Sequence, residues 1–500
     1  MVKHCKMNYR ELHSRLNGRI TAGGGSGRVD NATYRTVLSY EVAYPQEGSN
    51  HWSSTEYNRN NARNVNFNNG NANNNNKYNG NVVRPVTAFH DVVPSSFLLS
   101  VWIAYHDCLH GKMTSTQAIE YMQIAETDIP RLAYELWTGI YNPGTSTCFL
   151  VRYPKWREVF AANFRDRIVH HWICLRLEPL FEYRFREQGD LSFNCRKGYG
   201  TEKSVEHLAA AMCRVSDNYR KPAWVFRGDL VGFFMSIDKD LLWYLLNRFI
   251  KRWRHRIEVH GKGNPAGDID MYWDILSMAT NVVVMHHPEK DCVLNSEAYL
   301  WEEHMAANKS LFTSPTGEPI GNLTTQLFAN FLMSFFISYV KYIFRGKKWG
   351  MAQFVDDFAI VCDDLPFLVK SVPKLEAFLI KLRLALHKNK RYLQPVSHGI
   401  LFVGTFIKPG RNYLSNRTLG RMIERCKGYG RMVNEESVDV TKLQRMEEVL
   451  NSYLGFCRNR KTYNFRKSCI ASLGDNFWKY FYVKGRYESI RLKRQYRLLN

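Results

Sequence analysis

Two adjacent acids inside an apolar run constrain this chain more than any other feature. Asp356 and Asp357 interrupt Met351-Ala352-Gln353-Phe354-Val355-Asp356-Asp357-Phe358-Ala359-Ile360-Val361-Cys362, each half of which is long enough for a short strand. The pattern predicts two strands joined by a tight hairpin that carries both carboxylates. A third acid, Asp229, ends a second run of the same kind, Trp224-Val225-Phe226-Arg227-Gly228-Asp229, so a neighbouring strand would turn it toward the pair. Three converging carboxylates cannot all stay ionised and unpaired. Divalent cations are their natural partners, and hard oxygen donors favour Mg²⁺. Two such ions, about 3.5–4 Å apart, clamp the attacking and leaving oxygens of a phosphoryl transfer. Two Mg²⁺ ions are therefore the expected cofactor, with Mn²⁺ able to substitute. A bare Asp-Asp pair would also suit a solvated turn, so its surroundings decide.

Between the acids lies Glu318-Pro319-Ile320-Gly321-Asn322-Leu323-Thr324-Thr325-Gln326, a turn that leads into an apolar, helix-like stretch reaching about Phe344. In order and type these motifs resemble those of reverse transcriptases. Pro154-Lys155-Trp156-Arg157-Glu158, Phe164 to His171 and Ser192 to Thr201 are similar to the family's fingers motifs. Leu386 to Lys390 and Gly399 to Gly404 are similar to its lysine motif and primer-grip hairpin, and Ser452 to Phe456 to its thumb. The similarity spans about residues 90–470. It implies an α+β right-hand polymerase with fingers at 88–220, a palm with an antiparallel sheet at 221–408, and a helical, basic thumb at 409–500.

The same resemblance implies residue roles. Asp229 and Asp356 would bridge the ions, Asp357 would complete the cluster, and the Leu230 carbonyl would add a ligand. Lys390 would protonate departing pyrophosphate, while Arg196 and Lys197 would hold the triphosphate of the incoming dNTP. Phe234 would lie against the sugar; Ile320, Gly321 and Gln326 would line the rest of the nucleotide site. Ile320-Gly321 followed by Gln326 is similar to diversity-generating retroelement enzymes, with Thr325 in place of their usual Ser. That class copies a template-repeat RNA into adenine-mutagenised cDNA and works with a small basic ring-forming accessory protein. An accurate retron or group II intron-type reverse transcriptase is the runner-up, and a nucleic-acid-binding or lectin-fused protein with a decayed polymerase site a third reading.

A formal net charge of +23 argues for a polyanionic partner such as RNA or cDNA. Basic and aromatic residues interleave through 341–349, 411–431 and 458–497, as in grooves that follow a nucleic-acid backbone. Eleven cysteines show no Cys-x-x-Cys spacing, and no signal sequence or uninterrupted membrane span is apparent. Reduced thiols and a cytoplasmic location in a bacterial cell or phage-infected host are expected. Residues 1–87 differ in kind: Asn fills over half of 58–81, and the segment is expected to be disordered or weakly structured. The resemblance implies that this extension, near 51–87, is a template repeat read through in frame, with a fused binding module as the alternative. Residues 254–310 exceed what a bare palm connection needs, and the sequence assigns them no role.

Overall fold

A computed structural model describes residues 92–152, 155–260, 272–307, 310–435 and 438–497, together with the backbone of four short strands before them. Those strands, β1 (Asn50–Glu56), β2 (Asn61–Asn66), β3 (Ala72–Asn76) and β4 (Val82–Val83), form a sheet in the order β3-β2-β1-β4. These strands lie in the extension expected to be disordered or weakly structured, and the remainder of 1–87 lies outside the described residues.

The first helical layer contains α1 (Ser95–Leu109), α2 (Thr116–Thr138), α3 (Phe164–Glu187) and α4 (Thr201–Val215), with the hairpin β5 (Ser146–Val151) and β6 (Arg157–Ala161) between α2 and α3. The Ser115 side chain caps α2, which continues through a buried Pro130 to a left-handed Gly139.

β7 (Trp224–Asp229) leads through α5 (Phe233–Ser236) into the long α6 (Lys239–His260), whose N-terminus Asp238 caps by accepting from the Leu241 N–H at 2.8 Å. After α7 (Trp273–Met285), β8 (Cys292–Leu294) and α8 (Ala298–Ala307), the chain enters α9 (Leu323–Ile343). By length and composition α9 could cross a membrane, but most of it is buried within the protein. It is the central core helix, with Phe328, Phe331 and Phe336 fully enclosed.

β9 (Trp349–Phe354), β10 (Asp357–Cys362), α10 (Leu365–Lys381) and β11 (Tyr392–Pro395) complete an antiparallel sheet in the order β11-β7-β10-β9. Its two faces follow the alternation of strands. Phe226, Phe358 and Ile360 join the core of α3, α6, α9 and α10, whereas Val225, Ala359 and Val361 join a second core with α4. A meander of β12 (Ile400–Phe402), β13 (Thr405–Lys408) and β14 (Arg411–Leu414) adds Ile400, Phe402 and Ile407 to that second core. The C-terminal unit has its own core, built from α11 (Asn416–Met432), α12 (Val440–Arg458), α13 (Tyr463–Ala471), α14 (Phe477–Tyr480) and the hairpin β15 (Phe481–Lys484) and β16 (Ser489–Leu492).

The connection at 254–310 acquires a structural role. β8 pairs in parallel with β5, and the Asn295 N–H donates to the Cys148 carbonyl at 2.8 Å. On the next strand, Glu158 is fully buried: one carboxylate oxygen meets His304 Nε2 at 2.8 Å and the other accepts from the Leu311 N–H at 2.9 Å. Two residues on, the Phe160 N–H donates to the Ile320 carbonyl at 2.7 Å. The connection thus fastens the β5–β6 hairpin to the turn that begins α9. Removing one partner of a buried pair strands the other. Glu158→Ala should lower stability by about 3 kcal/mol, read as a shift in the urea midpoint, and Glu158→Gln by less than half of that.

Candidate active site

Register sets the acid cluster. Asp357, the first residue of β10, pairs directly with Asp229, the last of β7. Asp357 also pairs with Phe354, so Val355 and Asp356 form the two-residue turn between β9 and β10. Val355 has φ 56, a left-handed value that a β-branched side chain rarely adopts. Two side chains hold it there: its N–H donates to Asn194 Oδ1 at 2.9 Å, and its carbonyl accepts from Gln353 Nε2 at 2.6 Å. Asn194 is in turn hydrogen-bonded to Asn330 of α9. The Leu230 N–H donates to the Asp356 carbonyl at 3.2 Å, tying the turn to the residue after Asp229. Gly228 is obligatory for packing, since a Cβ there would stand 2.6 Å from the Phe358 ring.

The three acids differ in their partners. Lys390 Nζ donates to Asp229 Oδ1 at 2.8 Å, and Arg227 makes an ion pair with Asp357 at 2.7 Å. Arg227 lies two residues before Asp229 on the same strand, hence on the same face. Asp356 has no cation at contact distance among the described residues. Burial first, then the neighbouring charges of Asp357 and Asp229, push its carboxyl up to about 6, with Arg157 opposing. Burial also raises Asp357, against the pull of Arg227. Among the described residues no three His, Cys, Asp or Glu side chains stand grouped as a ready-made metal nest. The donor set nevertheless fits hard divalent ions: all three groups are carboxylates, on paired strands and their turn, two of them already facing cationic side chains.

Phe234, five residues after Asp229, is half-buried, and its carbonyl accepts from the Glu318 N–H at 2.8 Å. Ile320 packs against the small cluster of Cys148, Phe160, Met235 and Leu311. Gly321 has φ 130, and a Cβ on it would lie 2.4 Å from the Phe160 carbonyl oxygen, so only glycine fits between α9 and β6. Gln326 is exposed on the first turn of α9. Asn322 occupies the helix cap, while Thr325 hydrogen-bonds the Pro319 carbonyl at 2.9 Å and Thr324 meets buried His170 at 2.7 Å. Glu318 is buried beside Lys239, and burial raises its carboxyl.

Arg196 departs from the sequence expectation. Its guanidinium is buried and fully engaged, by Glu182 at 2.8 Å, Asp190 at 2.6 Å and the Ser192 carbonyl at 2.7 Å, so it presents no free fork to a phosphate. Lys197 is exposed, 3.3 Å from Glu178. Sequence reading passed over Arg227, Asn194, Gln353 and Arg157. Only Arg227, a charged residue inside an apolar strand run, carried a visible signal.

A groove of about 1170 Å³ on the C-terminal side is lined by Phe406, Lys408, Arg411, Tyr413, Arg417 and Lys461, among others. It brings two of the interleaved basic-aromatic stretches, 411–431 and 458–497, to one surface.

No protein-family model and no curated protein matches the chain. Solved structures similar to it include apo telomerase from Candida tropicalis, at 12% identity and a TM-score of 0.40, covering 66% of this chain and 59% of that one. Telomerase from Candida albicans in complex with a TWJ fragment of telomeric RNA matches at 12% identity and a TM-score of 0.39, covering 66% and 55%. The chain thus spans less than two thirds of these telomerase chains.

The acid cluster makes stability depend on pH. A carboxyl raised above its unfolded value favours the protonated fold, so its contribution is complete below about pH 4 and is lost as pH rises to about 6. Asp356→Asn should therefore stabilise the metal-free protein near pH 7 by about 2–3 kcal/mol and leave it unchanged at pH 4. Thermal melts in chelator at both pH values check this. Adding Mg²⁺ at pH 7 should raise the melting temperature of the wild type and not of the variant.

Proposed function

We propose that this protein is an RNA-directed DNA polymerase that extends a primer with dNTPs, and that it belongs to the error-prone, diversity-generating class. The observation that carries the polymerase reading is the pairing of Asp357 with Asp229 beside a turn that carries Asp356. Such an array suits two Mg²⁺ ions, or Mn²⁺ in their place, which when bound would neutralise charge on the triphosphate and lower the pKa of a primer hydroxyl. Asp229, Asp356 and Asp357 would hold them, with the Leu230 carbonyl beside Asp229. Lys390, already at Asp229, is placed to deliver a proton to the leaving pyrophosphate. With Arg196 engaged elsewhere, Lys197 and Arg157 are the exposed cations available for the triphosphate. Phe234, Ile320, Gly321 and Gln326 form the proposed nucleotide side, and the basic groove the proposed path of the duplex.

The class assignment rests on the likeness of Ile320-Gly321 and Gln326 to that family's motif, as do the template-repeat RNA, the ring-forming accessory partner and a cytoplasmic location. Accurate relatives carry a polar side chain at the position of Ile320. Here that side chain joins an apolar cluster and offers no hydrogen bond.

Two experiments test these levels separately. Asp356→Asn and Asp229→Asn should each abolish dNTP incorporation on an RNA template while RNA affinity stays within about twofold, since binding rests on dispersed basic charge. Extension at near wild-type rate by either variant would remove the cluster from catalysis. For fidelity, a single hydrogen bond worth ~1–2 kcal/mol changes selectivity by about five- to thirtyfold. Ile320→Gln should lower errors opposite template adenine more than opposite other bases, as read by sequencing cDNA from one RNA. Unchanged adenine errors with synthesis intact would discard the mutagenic role of Ile320.

A further inference from the structure

Helix α6 has two faces with sharply different chemistry. Leu242, Leu246, Phe249, Ile250 and Trp253 are buried in the main core. On the opposite side Tyr244, Arg248, Lys251, Arg252 and His255 are exposed, a stripe at helical spacing about 16 Å long. Arg248 donates to the Tyr244 hydroxyl at 3.3 Å. Among the described residues no carboxylate lies within ion-pair distance of Arg248, Lys251 or Arg252. Arg184 of α3 stands near enough to Arg252 for the like charge to lower its pKa after burial does, with only Glu187 opposing. Surfaces that serve solubility alone mix both signs, as α12 does with its Arg445–Glu448 pair. Like charges three and four residues apart repel, and an anion laid along them relieves the repulsion.

We propose that this outer face of α6 is a docking surface for the phosphate backbone of folded RNA, separate from the site of synthesis. The stripe occupies the middle and second half of the helix, with Arg252 about 20 Å along α6 from the Asp238 cap. A membrane surface is disfavoured because the apolar face of α6 is buried in the core, leaving only Tyr244 to insert. An acidic protein is disfavoured because the stripe has no apolar centre of the kind protein interfaces use. Helical RNA, recognised mainly through its shape and backbone, needs neither. The identity of the polyanion rests on the polymerase reading above; the surface itself does not.

The test uses the full chain with its synthesis site preloaded by excess unlabelled RNA–DNA primer–template. Binding of a fluorescent, blunt-ended RNA hairpin is then followed by anisotropy across a salt series. Combined Arg248→Ala, Lys251→Ala and Arg252→Ala should weaken the hairpin at least tenfold and flatten the salt slope by about two to three, with primer extension on a short template within twofold of wild type. Arg248→Lys with Arg252→Lys keeps the charge and should stay within about threefold, which separates lost charge from a damaged fold. Unchanged affinity and slope in the alanine variant would overturn the proposal. Equal binding of a DNA hairpin would overturn its assignment to RNA. Asp356→Asn should bind the hairpin like wild type, so failure of the polymerase reading and failure of this one give different results.

Discussion

The antiparallel register between β7 and β10 is the constraint on which the rest of the site depends. Because side chains alternate along a strand, a slip of one residue would send Asp357 to the opposite face and separate it from Asp229. The register is fixed from both sides. Phe226 and Phe358 enter one core while Val225, Ala359 and Val361 enter another, so any shift would expose apolar groups on two faces at once. At the hairpin tip the left-handed Val355 stores strain of about 1–3 kcal/mol. That strain is sustained by Asn194 and Gln353, and Asn194 answers to Asn330 on the central helix. Core packing thus determines where the acids stand.

The turn proposed to face the nucleotide depends on a second chain of contacts, running through the connection that the sequence left without a role. Glu158, His304 and Leu311 anchor β6; β6 hydrogen-bonds Ile320; and the absence of a side chain at Gly321 lets the two backbones meet. The small core of Cys148, Phe160, Met235 and Leu311 joins the strands, the connection and the start of α5 in one contact set. Residues proposed to select the nucleotide are therefore held by a framework distinct from the one that holds the acids.

What could be read in the sequence was whatever local pattern dictates. The Asp356-Asp357 hairpin, the strand ending in Asp229 and the extent of α9 all follow from apolar runs and short-range rules. Three kinds of feature did not. Arg196 resembled a phosphate ligand by motif, but its fate depended on Glu182 and Asp190 arriving from α3 and the following loop, which no spacing reveals. The strands at 50–83 lie in an Asn-rich stretch whose composition carries no strand periodicity. The Glu158–His304 pair joins residues 146 positions apart and has no sequence signature.

The charge arrangement at the acids bears on how their proposed roles fit together. Asp229 and Asp357 each face a cation of the chain itself, whereas Asp356 faces none and resists ionisation. Lys390 cannot both neutralise Asp229 and donate a proton elsewhere. In the proposed reaction, its release from Asp229 would have to accompany the engagement of that carboxylate with a stronger cation, which makes the lysine available only when the site is loaded. Arg227 is differently placed: it is about seven-eighths buried and reaches Asp357 through two nitrogens, a geometry that favours retention. One acid would then stay anchored by protein while Asp229 exchanges its partner and Asp356 gains one, keeping the strand pair in register through a change in local charge.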